Sequence, residues 1–264
     1  MHVNNASAKM FAKRRTRLLY YNFNIYRYAF HQDDGSGAGC INEIVRKDSY
    51  RLKRFSNISD GVFFDIGGNN GLVSLILARQ NPQSVVVVVE PILELCDLIR
   101  YNADINKISN VIVLNRALAA SNEKVILSVA TSCSGASSTM VKHQEEFNVL
   151  ENGFTEREVD GVTFDDLCDQ FLADGAFMPL LKIDCEGAEY TLRHSKRFAD
   201  RIVHNLEGEF HDTSYINSYS QSALDLFLYC IPLVKNEIHI TRLTRSSSEI
   251  LEDSLAFRLR EVGR

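Results

Sequence analysis

The chain has 264 residues, 45% of them hydrophobic, with 14 Gly and 4 Pro, a balance that excludes a disordered or fibrous protein. No apolar run approaches the roughly 20 residues that a membrane-spanning helix needs, and the N-terminus lacks the charged-then-apolar pattern of a secretory signal, so the expected compartment is the cytoplasm. The six cysteines, at 40, 96, 133, 168, 185 and 230, form no Cys-x-x-Cys pair, which argues against a zinc site and against a disulfide framework.

Charge divides the chain unevenly. Residues 1–60 hold 11 Lys and Arg against 5 Asp and Glu, a net of +6, and the remainder holds 18 against 29, a net of −11. An acidic body disfavours a nucleic-acid partner. Residues 1–40 are expected to form a basic, aromatic-rich helical extension, with a helix over 9–30, and residues 41–264 the main domain. Asp33-Asp-Gly-Ser-Gly-Ala-Gly39 is a flexible break between them, and 41–55 reads as a short helix leading into the first strand.

Val62-Phe-Phe-Asp-Ile-Gly-Gly-Asn-Asn-Gly71 then reads as a buried strand and a glycine turn, with a helix beginning beside Gly71. The run Val85–Val89 is a second buried strand ending on Glu90, and a helix follows with Leu95, Leu98, Ile99, Asn102 and Ile105 on one face. Val111–Leu114 is a third strand, ending at Asn115-Arg116-Ala117. Lys124–Val129 is an antiparallel or edge strand, 131–139 a loop, and 141–158 has no clear pattern. Thr163-Phe-Asp-Asp166 is a capping box. Strands then end at Asp184 and near Glu207-Gly-Glu-Phe-His211, with helices over 187–198 and 222–231. A strand at 237–243 and an edge strand near 255–259 complete the chain. Strands alternating with helices indicate an α/β fold, a doubly wound and mostly parallel sheet.

The turn after the first strand decides between cofactors. A dinucleotide site wants Gly-x-Gly-x-x-Gly, but here the order is Asp65-x-Gly67-x-Asn69-x-Gly71. A carboxylate at the strand end repels phosphate and suits S-adenosylmethionine (SAM), which carries an ammonium, a sulfonium and no phosphate. Glu90 lies about 20 residues beyond the last glycine, where an acid takes a ribose diol. The cofactor-side candidates are Asp65, Gly67, Gly68, Asn69, Gly71, Glu90 and Ala117. Asp184, Glu186, Glu209 and His211 follow later strands and are expected to converge beside the cofactor. A carboxylate or His among them could take the proton from an attacking hydroxyl, or the set could hold a divalent cation. Glu189 reads equally as a surface charge or a site residue, and Lys182 as a structural ion-pair partner.

The ordered set Phe64-Asp-Ile-Gly-Gly-Asn-Asn-Gly71, Val89-Glu-Pro91, Val162-Thr-Phe-Asp-Asp-Leu167, Leu181-Lys-Ile-Asp-Cys-Glu-Gly-Ala-Glu189 and Glu209-Phe-His211 resembles the FkbM-type methyltransferases. The resemblance implies a Rossmann-like class I SAM-dependent fold, a seven-stranded sheet with a C-terminal antiparallel hairpin. It implies methylation of a hydroxyl oxygen on a small acceptor, a sugar or polyketide-type product, with no nucleic acid and with homo-oligomerisation open. It places Asp65, Gly67, Asn69 and Gly71 along the methionine and ribose of SAM, Glu90 on the ribose diol, and Asp184, Glu186, Glu209 and His211 at the acceptor. Gly68, Cys185 and Phe164 depart from the family's usual residues. A nicotinamide-dependent oxidoreductase and a non-catalytic SAM-binding module are the alternatives.

Overall fold

The computed structural model describes residues 18–31, 35–130, 137, 154–172, 176–211, 222–244, 250–251 and 255–258. The chain opens with a β-hairpin, β1 (Leu18–Phe23) and β2 (Tyr26–His31), paired from Leu18↔His31 to Phe23↔Tyr26. The helix expected here is therefore absent over 18–31, and residues 9–17 lie outside the described residues. Tyr21 and Phe23, and then Tyr26, Tyr28 and Phe30, recur with period two, which is strand spacing, and Asn24 takes a positive φ of +48° in the two-residue turn.

Asn102 of a later helix and Asn106, which caps the end of that helix, hold this hairpin. Asn102 accepts from Ala29 N at 2.8 Å and donates to Ala29 O at 2.9 Å, and Asn106 treats Arg27 alike at 2.8 and 2.7 Å. Residues four apart on a helix rise about 6 Å, and residues two apart on a strand span about 6.6 Å. The two amides therefore match the spacing of a missing strand.

Next come α1 (Gly35–Cys40), a π-helix (Ile41–Lys47) and a short 3₁₀ turn (Leu52–Arg54). The body follows: β3 (Val62–Ile66), α2 (Leu72–Gln80), β4 (Val85–Val89), α3 (Leu93–Ile105) and β5 (Val111–Leu114). β6 (Ala117–Leu118), β7 (Lys124–Ala130) and β8 (Phe154–Val162) form a separate three-stranded sheet, so the strand expected at 124–129 lies off the main sheet. Then come α4 (Phe164–Phe171), β9 (Leu181–Ile183), a 3₁₀ helix (Ala188–His194) and α5 (Lys196–Ala199). β10 (Asn205–Phe210), α6 (Ala223–Cys230), β11 (Glu237–Thr244), β12 (Ile250–Leu251) and β13 (Leu255–Arg258) close the described chain. As the capping box predicts, Thr163 accepts from Asp166 N at the start of α4.

The main sheet runs β11-β10-β9-β3-β4-β5, six parallel strands. β12 and β13 both pair antiparallel with β11, with a one-residue slip between them, so they share the seventh position. The fold is thus the doubly wound α/β class expected. Val62, Phe64 and Ile66 of β3 join one apolar core, and Phe63 joins the core on the opposite face with α2 and the hairpin. Both faces are covered, as the unbroken apolar run of β4 requires. Among the described residues no helix is long and apolar enough to cross a membrane.

Candidate active site

The parallel strands deliver their C-terminal ends to one edge, where a cavity of about 270 Å³ opens. Gly67, Asn69, Glu90 and Ala117 line one part of it, and Asp184, Glu186 and Glu209 another. Ile66, Val89, Ile92, Leu118 and Leu127 give it an apolar wall. Seven of the eleven candidate residues are therefore brought to one cavity.

Glu90 is 4% exposed, and its two carboxylate oxygens each accept a backbone N–H, from Asn69 and from Ile92, both at 2.8 Å. Burial pushes its carboxyl up to about 7, against the pull of those two N–H groups and of Lys182, and the Asp65 charge adds to the rise. Gly67 has φ +79°, and a Cβ there would fall 1.8 Å from Asp184 O. The neighbouring strand end thus presses directly on the turn, and only glycine fits. Gly67→Ala is expected to destabilise the fold by more than the ~1–2 kcal/mol of a left-handed L-residue alone, read as a lowered melting temperature with weakened cofactor affinity.

Four candidates lie outside the cavity wall. Gly68 and Gly71 make room for neighbours: a Cβ at Gly68 would meet Val88, and one at Gly71 would meet Ile99. Asp65 is 0% exposed and is held by Ser74 Oγ and by Lys182 Nζ, the latter at 3.3 Å. Its carboxylate sits behind the turn, contrary to the expectation that it lines the cofactor. The reason is strand alternation: Asp65 shares a face with Phe63, on the side covered by α2. Lys182 is the ion-pair partner expected, and it also donates to Gly67 O at 2.8 Å. Burial works against its ammonium, but Asp65 and Asp184 hold it above its ordinary value. Asp65, Lys182, Glu207 and His239 lie in register across β3, β9, β10 and β11, a buried polar row under the site.

His211 is the fourth. It is 4% exposed, with Nδ1 at 2.9 Å from Glu189 Oε1 and Nε2 at 3.5 Å from Glu186 Oε2 and 3.9 Å from Glu209 Oε2. Burial opposes its charge, but Glu186, Glu189 and Asp184 prevail and raise the imidazole well above 6.5. Glu189 is no surface charge. It is fully buried and accepts from Cys185 N at 3.0 Å and Gly187 N at 2.8 Å, clamping the turn that presents Asp184 and Glu186. Glu186 sits in that turn at φ +53°, a conformation costly for a side chain with a Cβ. One ligand atom each from Asp184, Glu186 and His211 lie within 4.8 Å of one another.

Sequence reading missed the contribution of the N-terminal elements. Ser36 and Cys40 of α1 and Glu43 of the π-helix line the cavity, as does the exposed Arg116. Buried Tyr50 places its hydroxyl 2.9 Å from Asp184 Oδ2. A seven-residue π-helix is rare and such segments gather at functional sites, but its sequence carried no mark of that.

A family model for the methyltransferase FkbM domain matches residues 65–228, more than half of the chain. The chain belongs to the FkbM methyltransferase family. No curated protein matches this FkbM methyltransferase chain. Similar solved structures include precorrin-6y C5,15-methyltransferase from Geobacter metallireducens, 24% identical over 26% of this chain and 36% of that one, TM-score 0.24. TYW2 from M. jannaschii, solved with AdoMet, is 16% identical over 38% of this chain and 44% of that one, TM-score 0.31. An rRNA methylase from Streptococcus thermophilus is 8% identical over 74% and 69%, TM-score 0.34. The FkbM chain thus spans less than half the length of the first two.

Proposed function

We propose that this FkbM protein transfers a methyl group from SAM to a hydroxyl oxygen of a small acceptor. The observation that carries the reading is the Glu90 carboxylate in the cavity wall, aimed by two backbone N–H groups. Each oxygen keeps accepting capacity for one hydroxyl of a ribose. The residues fit the cofactor: the apolar wall suits an adenine, Gly67 lets backbone approach closely, and Asp184, Glu186 and Glu209 suit the cationic end. The family match and the missing middle glycine of the dinucleotide turn both weigh against a nicotinamide cofactor.

SAM supplies an activated methyl group when bound, and the chain's residues hold the acceptor in line and take its proton. His211 is buried with Nδ1 on Glu189, behind the carboxylates that line the cavity. The base is one of Asp184, Glu186 and Glu209, all in the cavity wall. Asp184→Asn is expected to lower turnover about 10²–10⁴-fold and to leave SAH affinity nearly unchanged. Release of SAH with a panel of sugar and polyketide-type alcohols, each assayed with and without protein, tests the reaction. Stabilisation by NAD(H) with none by SAH would defeat the reading.

A divalent cation is the second reading, favoured by the convergence of Asp184, Glu186 and His211. It would acidify the acceptor hydroxyl in place of a base. Turnover that survives EDTA would exclude it.

A further inference from the structure

Tyr50 belongs to none of the motifs that carry the family resemblance, yet it is 3% exposed and touches the acidic end of the cavity from behind. Its hydroxyl lies 2.9 Å from Asp184 Oδ2 and 3.5 Å from Glu209 Oε1. A phenol has one proton to give, and the shorter contact takes it. Among the described residues, Tyr50 supplies the hydrogen bond to the Asp184 carboxylate.

A competitor stands close by. Asp184 Oδ2 is 3.9 Å from Lys182 Nζ, whose nearer partners are Gly67 O at 2.8 Å and Asp65 Oδ1 at 3.3 Å. The Lys182 ammonium also faces the Tyr50 ring, 5.4 Å from its centroid. The other titratable groups around Asp184 are Glu43 from the π-helix, Glu186 from its own turn, Glu209 from β10 and His211 just beyond that strand. Lys182 is the cation within ion-pair reach of Asp184 among the described residues. Without the phenol hydroxyl the carboxylate is drawn onto Lys182, away from the cavity. Tyr50 itself cannot drift: Arg51, at φ +48°, forks onto Glu207 at 2.5 Å and Glu237 at 2.6 Å.

We infer that Tyr50 is a positioning residue whose hydroxyl holds the Asp184 carboxylate off the buried Lys182–Asp65 pair and presents it to the cavity. This rests on the cavity being the SAM site proposed above. SAM and SAH differ by one methyl group and one positive charge, so the ratio of their affinities reads how well that carboxylate is presented. A lesion that only loosens the fold weakens both ligands together.

The experiment is calorimetric titration of SAM and of SAH, in EDTA, into the wild type and Tyr50→Phe. The variant is expected to bind SAH within about twofold of wild type and SAM about tenfold more weakly, the size of one charge-assisted contact. Equal weakening of both ligands, or no change in either, overturns the inference. Wild-type protein that binds neither ligand overturns the cofactor assignment, and this inference falls with it. Should Tyr50→Phe fail to melt cooperatively, Asp184→Asn carries the test: it must lower the same ratio, and an unchanged ratio refutes the role. Where both variants fold, the double variant must lose no more than Asp184→Asn alone.

Discussion

Replacing Glu90 by Ala is expected to nearly abolish the stabilisation that SAH gives the protein. Two hydroxyl bonds to a charged acceptor contribute about 1.5–3 kcal/mol each, so affinity should fall roughly 10²–10⁴-fold. At a ligand concentration near 100 Kd the wild type gains about 2.7 kcal/mol, about 5–10 °C in melting temperature for a chain of this size. The variant should show a shift of at most about 1–2 °C under the same conditions. A retained shift would remove Glu90 from the ribose and with it the strongest support for the cofactor.

The same carboxyl gives the apoprotein a pH signature. Its folded value, about 7, lies above the 4.5 of an exposed glutamate. The group therefore favours the fold below pH 4.5, and that contribution is lost as pH rises through 7. The loss is at most about 3 kcal/mol. Apoprotein stability should fall across this window in the wild type and stay flatter in Glu90→Gln, while SAH affinity should rise as the carboxyl ionises.

Lys182→Met is expected to cost still more stability. Lys182 is 3% exposed and lies between the fully buried Asp65 and Asp184. Removing one partner of a buried ion pair costs about 3–5 kcal/mol, because the other is left charged and uncompensated. The melting temperature should fall by about 6–20 °C. Asp65→Asn in the Lys182→Met background should recover part of that loss, since the orphaned charge goes with it. If the two losses simply add, Asp65 and Lys182 are not coupled and the polar row is misread.

What sequence revealed here was what lies close along the chain. The glycine turn, the valine strand that ends beside Glu90 and the Thr163 cap are each contained in a few residues, and the structure has each of them. Asp65 nearly ends a strand, which suggests the cavity, but its alternation with Phe64 and Ile66 places it on the face covered by α2. The hairpin's many aromatics suggest a packed helix, but the period of two in Tyr26, Tyr28 and Phe30 marks a strand. Tyr50 meets Asp184 across 134 positions, and no local pattern encodes such a contact. Glu189 shows the same limit: its spacing leaves surface charge and site residue equal, and its hydrogen bonds to Cys185 and Gly187 explain its burial.

The amides of Asn102 and Asn106 have a consequence for the protein over time. They occupy, donor and acceptor together, the outward backbone groups of Ala29 and Arg27, positions where a strand from another molecule could otherwise add. Deamidation of either residue would keep an acceptor and lose the donor, and would set a carboxylate against a backbone carbonyl. Chemical ageing at these two residues would thus open a strand margin to self-association while leaving the cavity intact.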